Sequence, residues 1–289
     1  MRVLVAGAGW LGSALSRRLL AGGHGVVAVR RDAGALRPLV EAGAVALALD
    51  LAEPGAGRSI PPDVDAIVAC QSSAVDTAEA YRRAYVDANR VLLDVAARNG
   101  VRAFVYTGST GVFGQRDGGD VDERTAPAPS GTSGEVLVEA ERTVFDAASR
   151  GVPACVVRLS GLYGPGRTGI LERVRTGRLA LGPGDDGWMN FCHLDDALSF
   201  VIAGLERGEA GRAYHGSDAS PARRREVVGW IAGRLGIDPP RCEAAPPGPN
   251  RRIRSEWSRE ALGVGLRYPS FREGLAPIIP SPPPGERAG

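Results

Sequence analysis

The residues best suited to chemistry come at the very start of the chain. In "VLVAGAGWLGSAL", Gly7, Gly9 and Gly12 stand in the GxGxxG spacing. Gly7 permits a tight turn, Gly9 lets backbone approach a pyrophosphate, and Gly12 lets a helix close on a strand. With Trp10 and Leu11 between them, these residues would open a helix whose free amides face the phosphates of a dinucleotide. About 18 residues after Gly12, where an NAD site places an acidic side chain on the ribose, the chain has Arg30 and then Arg31. A planar guanidinium suits a phosphate, so the pair points to the 2′-phosphate of NADP. NAD stays open as the alternative, because Asp32 follows at once. Asp50, at the end of "LALDL", is either a contact to the adenine edge or a cap on its strand. Cys70 and Gln71 end the fourth apolar run and would form a wall beside the cofactor. A nucleophilic thiol there would need an activating cation, and the local sequence has none.

Groups able to move a proton are scarcer. Tyr163, in "GLYGPG", lies just past the sixth apolar run, where a cleft is expected. His193, in "NFCHLDDA", titrates near neutrality. Each has a plainer reading: Tyr163 as a ring propping its loop, His193 as packing between two lobes. The basic count of 35 is entirely arginine. A high-GC genome that disfavours lysine codons is the simplest source of that bias, but the bias has a chemical consequence. No lysine can assist a phenol, and an unassisted phenol, with a pKa of about 10, is a poor base at neutral pH.

The elements that must position these groups are legible as an alternation. Apolar runs at 2–7, 25–30, 44–49, 65–70, 102–108 and 153–160 are separated by helical stretches near 11–22, 33–42, 76–99 and 132–150. Near-continuous apolar strands between helices predict a parallel sheet buried on both faces, an α/β, doubly wound Rossmann-type fold. Beyond 161 the pattern loosens into "YGPGRTG" and "LGPGDDG" loops, a helix near 194–207, a strand at 212–217 and a helix near 222–235. The predicted layout is a nucleotide-binding domain over 1–160 and a smaller substrate lobe over 161–280, with elements exchanged between them. The segment 243–252 reads as an irregular connection and 281–289, "SPPPGERAG", as a disordered tail.

The totals exclude several classes. A net charge of +2 over 289 residues argues against nucleic acid or an anionic membrane as partner. The four cysteines are scattered without a CxxC pair, so neither a disulfide framework nor a metal site is expected. The first strand begins too early for a secretory leader, and no apolar run is long enough to span a bilayer. A cytoplasmic protein with a small-molecule substrate is the expectation.

With these motifs in hand, the chain resembles the extended short-chain dehydrogenase/reductase superfamily, and within it the NAD-dependent epimerase/dehydratase type. The markers are GAGWLG (7–12), "YTGSTGVFG" (106–114), "RLSGLYGPGR" (158–167), "NFCHLDDAL" (190–198) and "YPSFREGL" (268–275). The resemblance implies that Ser109, five residues before Gly114, orients a carbonyl or hydroxyl, with Thr110 beside it facing substrate. It also implies a Tyr-Gly-x-x-Lys-x-x-Ala-Glu run. Aligning Gly134, Ala140 and Glu141 puts Ser133 where the tyrosine belongs and Leu137 where the lysine belongs. The chain is thus similar to the atypical members, whose active-site motif is degenerate. By the same resemblance, Asn190 would contact substrate, and a homodimer would form through the helices near 76–99 and 132–150. Three functions stay open: an NADP- or NAD-dependent oxidoreductase or epimerase-like enzyme for a small carbonyl, hydroxyl or imine; a non-redox cyclase, isomerase or lyase; and a redox-silent NADP-binding sensor or assembly protein.

Overall fold

The computed structural model describes residues 1–279 apart from 74, 76, 185 and 244–247. The apolar runs form one seven-stranded sheet: β1 (Arg2–Ala6), β2 (Gly25–Arg30), β3 (Val45–Ala48), β4 (Ala66–Ala69), β5 (Ala103–Ser109), β6 (Ala154–Leu159) and β7 (Ala213–Gly216). All its pairings are parallel, in the order β7-β6-β5-β4-β1-β2-β3. The strand order reverses beside β1, which opens a crevice at the carboxyl ends of β1 and β4. This is the doubly wound Rossmann-type architecture that the alternation predicts.

Alternate residues of each strand point to opposite faces, and both faces are covered. On one, Leu15 and Leu19 of α1 (Trp10–Ala21) join Val3, Val5, Val68, Val105 and Val157 of the strands. On the other, Leu92 and Val95 of α2 (Ala88–Asn99) and Val136, Ala140 and Val144 of α3 (Thr132–Ser149) join Leu4, Ile67, Phe104 and Val156. The first face is completed from the far half of the chain by Phe200 and Val201 of α4 (Leu194–Arg207). Burying each large aliphatic side chain is worth roughly 2 kcal/mol. Between α3 and β6, Arg158 donates two hydrogen bonds to the carboxylate of Glu141, at 2.9 and 2.8 Å, with both residues almost wholly buried. Burial pushes the Glu141 carboxyl up, opposed by the Arg158 donors. Removing one partner of such a pair leaves a buried charge, which costs about 3–5 kcal/mol.

Two helical expectations need correcting. The stretch 76–99 is not one uniform helix: a turn over Ala78–Tyr81 passes into a π-helical segment, Arg82–Asp87, before α2 begins. The stretch 33–42 shrinks to two short turns, Gly34–Leu36 and Arg37–Val40. Pro38 confines helical geometry to a first turn, and Gly43, at φ +99°, ends it.

The remaining residues build a third apolar cluster around α5 (Arg224–Leu235), with Tyr163, Phe191, Val227, Ile231, Phe271 and Leu275. Short strands lace this part together: Gly161–Tyr163 beside Phe191–His193, and Trp188–Met189 beside Ala222–Arg223. A third pair, Arg252–Ile253 beside Asp120–Val121, ties it to the loop after β5. The expected tail, 281–289, lies outside the described residues, as do residues 244–247 of the expected irregular connection.

Just after β7, Asp218 is 2% exposed. Its Oδ1 accepts from the Ser220 amide at 3.3 Å, while Oδ2 has no partner among the described residues. Burial, with Asp196 and Glu273 nearby, pushes its pKa up to about 8. In the unfolded chain the same carboxyl ionises near 3.8. The folded state therefore holds the proton over the window between these values, and stability falls as pH rises through it. Asp218→Asn should flatten the melting-temperature profile over that window and melt higher than wild type above pH 8. A variant profile parallel to wild type across the whole range would refute this.

Candidate active site

The crevice at β1 and β4 starts from backbone. Gly7, at φ +89°, turns so closely against β4 that an added Cβ would lie 2.4 Å from Gln71. Gly12 presses α1 onto the turn: its Cβ would lie 2.3 Å from the Gly7 carbonyl oxygen and 2.9 Å from Cys70 Sγ. Gly9, by contrast, faces open space, its nearest neighbour at 4.0 Å. No side chain caps the first turn of α1 and no acidic residue sits in it. A bare helix start beside an open glycine is a fit for a phosphate.

Two cavities meet at this turn, sharing Gly7, Gly9, Gln71 and Ser72. The first, about 400 Å³, is lined by Arg30, Arg31, Asp32, Asp50 and Arg83 among others. Asp32 accepts from the amides of Gly34 and Ala35, so its Oδ1 is engaged in its own turn. Asp50 accepts from the Ala52 amide and from Arg83. Arg30 makes a 3.3 Å contact to the Ala8 carbonyl and is otherwise exposed. The second cavity, about 450 Å³, is lined by Trp10, Leu11, Cys70, Thr107, Ser109, Thr110, Leu137 and Ser160, with Tyr81, Tyr85 and Arg167. Its shape and lining fit the reactive half of a dinucleotide. The buried Oε1 of Gln71 and Oγ of Ser160 have no hydrogen-bond partner among the described residues, and both residues line this cavity.

Ser109 ends β5 and caps the turn Thr110–Val112, its Oγ accepting from the Gly111 amide at 3.0 Å. That leaves its O–H free to donate into the cavity. Thr110 is held from the other half of the chain, its carbonyl accepting from the buried Arg251 at 2.7 Å. Leu137 is buried one helical turn before Glu141 and reaches the same wall: its Cδ1 and the Ser109 Oγ both flank Gly111. An aliphatic side chain thus stands beside Ser109. Cys70 is a wall residue, its Sγ directed to the Gly7 carbonyl and its thiol pushed up to about 12 by burial.

Four expected site residues lie elsewhere. Tyr163 is in the apolar cluster around α5: its Oη donates to the Ser270 carbonyl at 3.4 Å and its ring packs on Gly274. Burial drives its phenol far above the ordinary range. His193 caps α4, Nδ1 accepting from the Asp195 amide at 3.1 Å, with the Tyr268 ring at 3.8 Å. Burial lowers its pKa. Neither residue lines the two cavities. Asn190 uses both ends of its amide on backbone, donating to the Arg251 carbonyl at 2.9 Å and accepting from the Ile253 amide at 2.7 Å. Ser133 is exposed in the first turn of α3 and is not among the cavity-lining residues.

Conversely, Tyr81, Tyr85, Ser160 and Arg167 line the cavity without having been singled out. Tyr81 and Tyr85 are four apart at the start of a helix that follows β4, a spacing that could have flagged them. Arg167 stands in the quoted "YGPGR" run, where nothing local assigned it a partner.

The family model for the NAD dependent epimerase/dehydratase family matches residues 3–215. The chain belongs to that family. Among curated members of similar sequence, a 3-diazoavenalumate denitrifying reductase from a Streptomyces species is 32% identical over 95% of this chain and 99% of its own. A 2-alkyl-3-oxoalkanoate reductase from Stenotrophomonas maltophilia is 27% identical over 85% and 78%. Among solved structures, a double mutant of the dTDP-glucose 4,6-dehydratase DesIV from Streptomyces venezuelae, which holds NAD, superposes with a TM-score of 0.82. It is 24% identical over 96% of each chain, a likeness that shows the fold. Gly12 leaves no room for a Cβ, so Gly12→Ala should lower the melting temperature and, if the glycine turn holds a dinucleotide, weaken binding of pyridine nucleotide in a fluorescence titration. Overpacking of this kind typically costs about 1–3 kcal/mol. Unchanged melting and binding would show the turn to be looser than described.

Proposed function

We propose that the chain is an NAD(P)H-dependent reductase of a small electrophilic substrate, a carbonyl, an imine or a similarly activated centre, with NADPH preferred. The observation that carries this reading is the wall around Ser109: its hydroxyl lines the same cavity as the aliphatic Leu137, which the family alignment sets where a lysine would make a strong proton-abstracting pair. Epimerisation and dehydration of a sugar begin by removing a proton, which this wall does not favour. Accepting a hydride asks less of the protein. When bound, the nicotinamide would supply that hydride.

The residues then divide the remaining work. Gly9 and the first turn of α1 would hold the pyrophosphate, Gln71 and Ser160 would satisfy ribose or carboxamide groups with their unpartnered oxygens, and Arg30 with Arg31 would take the 2′-phosphate. Ser109 would donate to the heteroatom of the substrate and align its carbon. Two relatives named as reductases support the same class. One of them is named for a diazo compound; replacing a diazo group by hydrogen with loss of nitrogen is chemistry in which hydride arrival dominates. We also propose that residues 161–279 supply most of the substrate contacts.

The test is oxidation of NADPH against a panel of aldehydes, ketones, imines and enones. Ser109→Ala should lower kcat on the order of a hundredfold, the usual consequence of losing one preorganised donor. Unchanged turnover removes Ser109 from the reaction. Arg30→Glu should weaken NADPH roughly tenfold to a hundredfold while sparing NADH, as expected for a lost charge-assisted hydrogen bond. Equal weakening of both nucleotides overturns the preference for NADPH.

A further inference from the structure

Reducing a carbonyl or a neutral imine also requires a proton at the heteroatom, and neither Ser133 nor Leu137 can send one from an activated pair. The cavity that holds Ser109 nonetheless carries two phenols, Tyr81 and Tyr85, and one cation, Arg167, among its described lining residues. Tyr85 lies within the π-helical segment Arg82–Asp87. Single π turns are frequent at functional sites. Its ring meets that of Tyr81 at 5.2 Å and packs against the small apolar cluster of Val112, Phe113 and Leu137, the wall that flanks Ser109. Arg167 is set in place by a closed turn. Its amide donates to the Gly164 carbonyl at 2.9 Å, Trp10 Nε1 donates to the Pro165 carbonyl at 2.8 Å, and the guanidinium lies 5.4 Å over the Trp10 ring. No carboxylate pairs with it among the described residues.

We infer that Tyr85 is the proton donor of this site and that Arg167 is its positioning cation, together replacing the tyrosine and lysine that the chain lacks. The inference rests on the reductase reading. In the step, the nicotinamide, when bound, would supply the hydride of the new C–H bond and be left oxidised. The π pair of the C=O or C=N bond takes the proton leaving Tyr85 Oη, and the O–H pair stays behind as a phenolate beside Arg167. Water returns the proton. The groups facing this phenol are mixed. Burial raises its pKa most, the Ser73 backbone and Arg167 oppose that, and the phenol of Tyr81 adds to it. The buried Tyr106 phenol is pushed up by burial first, then by Glu141 and by Tyr85 itself. The net effect is upward, so Tyr85 stays protonated at neutral pH and serves as an acid.

Two acceptor classes separate this role from a structural one. An aldehyde needs both hydride and proton; a preformed N-methyl cyclic iminium salt needs hydride alone. Tyr85→Phe should lose about a hundredfold in kcat on the aldehyde, keep wild-type turnover on the iminium salt, and bind NADPH as wild type does by fluorescence titration. Arg167→Gln should raise the pH at which the Tyr85 phenol ionises, read as the ultraviolet difference between chains with and without Tyr85. Arg167→Lys should restore the kcat profile near neutrality, where a lysine keeps its charge. Equal losses on both acceptors, lost NADPH binding in Tyr85→Phe, or a phenol titration indifferent to Arg167→Gln would each overturn the assignment. Wild-type protein that oxidises NADPH with neither acceptor would instead defeat the reductase reading, and this inference with it. Wild-type turnover matched by Tyr85→Phe on the aldehyde would defeat Tyr85 alone.

Discussion

The groove exists because three pieces of backbone meet where side chains would not fit. The end of β1 at Gly7, the first turn of α1 at Gly12 and the end of β4 at Cys70 and Gln71 approach to distances that a single Cβ would violate. That contact aims the start of α1 across the carboxyl ends of the strands. It also sets the two cavities end to end, so that a cofactor lying over Gly9 would span from Arg30 to Ser109. Everything chemical in the chain is arranged relative to this one turn. The sheet serves it by holding β1 and β4 in register beneath it.

A second constraint is how the two halves of the chain are fastened. Trp10 reaches Pro165, Arg251 reaches Thr110, and Asn190 clamps the 251–253 backbone to the lobe that carries it. The polar residues that look most reactive in the sequence, His193 and Tyr163, line neither cavity. His193 caps α4, and Tyr163 donates to the Ser270 carbonyl in the cluster around α5. Buried polar groups of this kind fix one arrangement of backbone among many. The groups left facing the cavity are plainer ones: hydroxyls, an amide, two phenols and an arginine.

How far the sequence foretold this differs by element. The strands of the sheet and helices α1, α3 and α4 were legible because apolar periodicity and glycine spacing are local signals. The buried pairing of Glu141 with Arg158 was not legible, since the two lie on different elements 17 residues apart. The π-helical insertion was not legible either, since one extra residue in a turn leaves the pattern of apolar residues nearly unchanged. Nor was the fate of Asn190, whose two backbone partners lie some 60 residues away in sequence. Arg167 was visible as a residue but not as a cavity cation, because its placement depends on Trp10 at the other end of the chain.

Cys70 adds a consequence of its own. The sulfur sits behind the phosphate turn, wedged between the Gly7 carbonyl and the face of α1 where even a methyl group would collide. A thiol held there with its ionisation suppressed offers peroxides almost no thiolate to attack. Were an oxygen atom ever added, it would have to lever the helix off the strand. The shape of the glycine turn is therefore guarded against oxidants by the same crowding that creates it, and damage to that sulfur would arrive together with the opening of the turn.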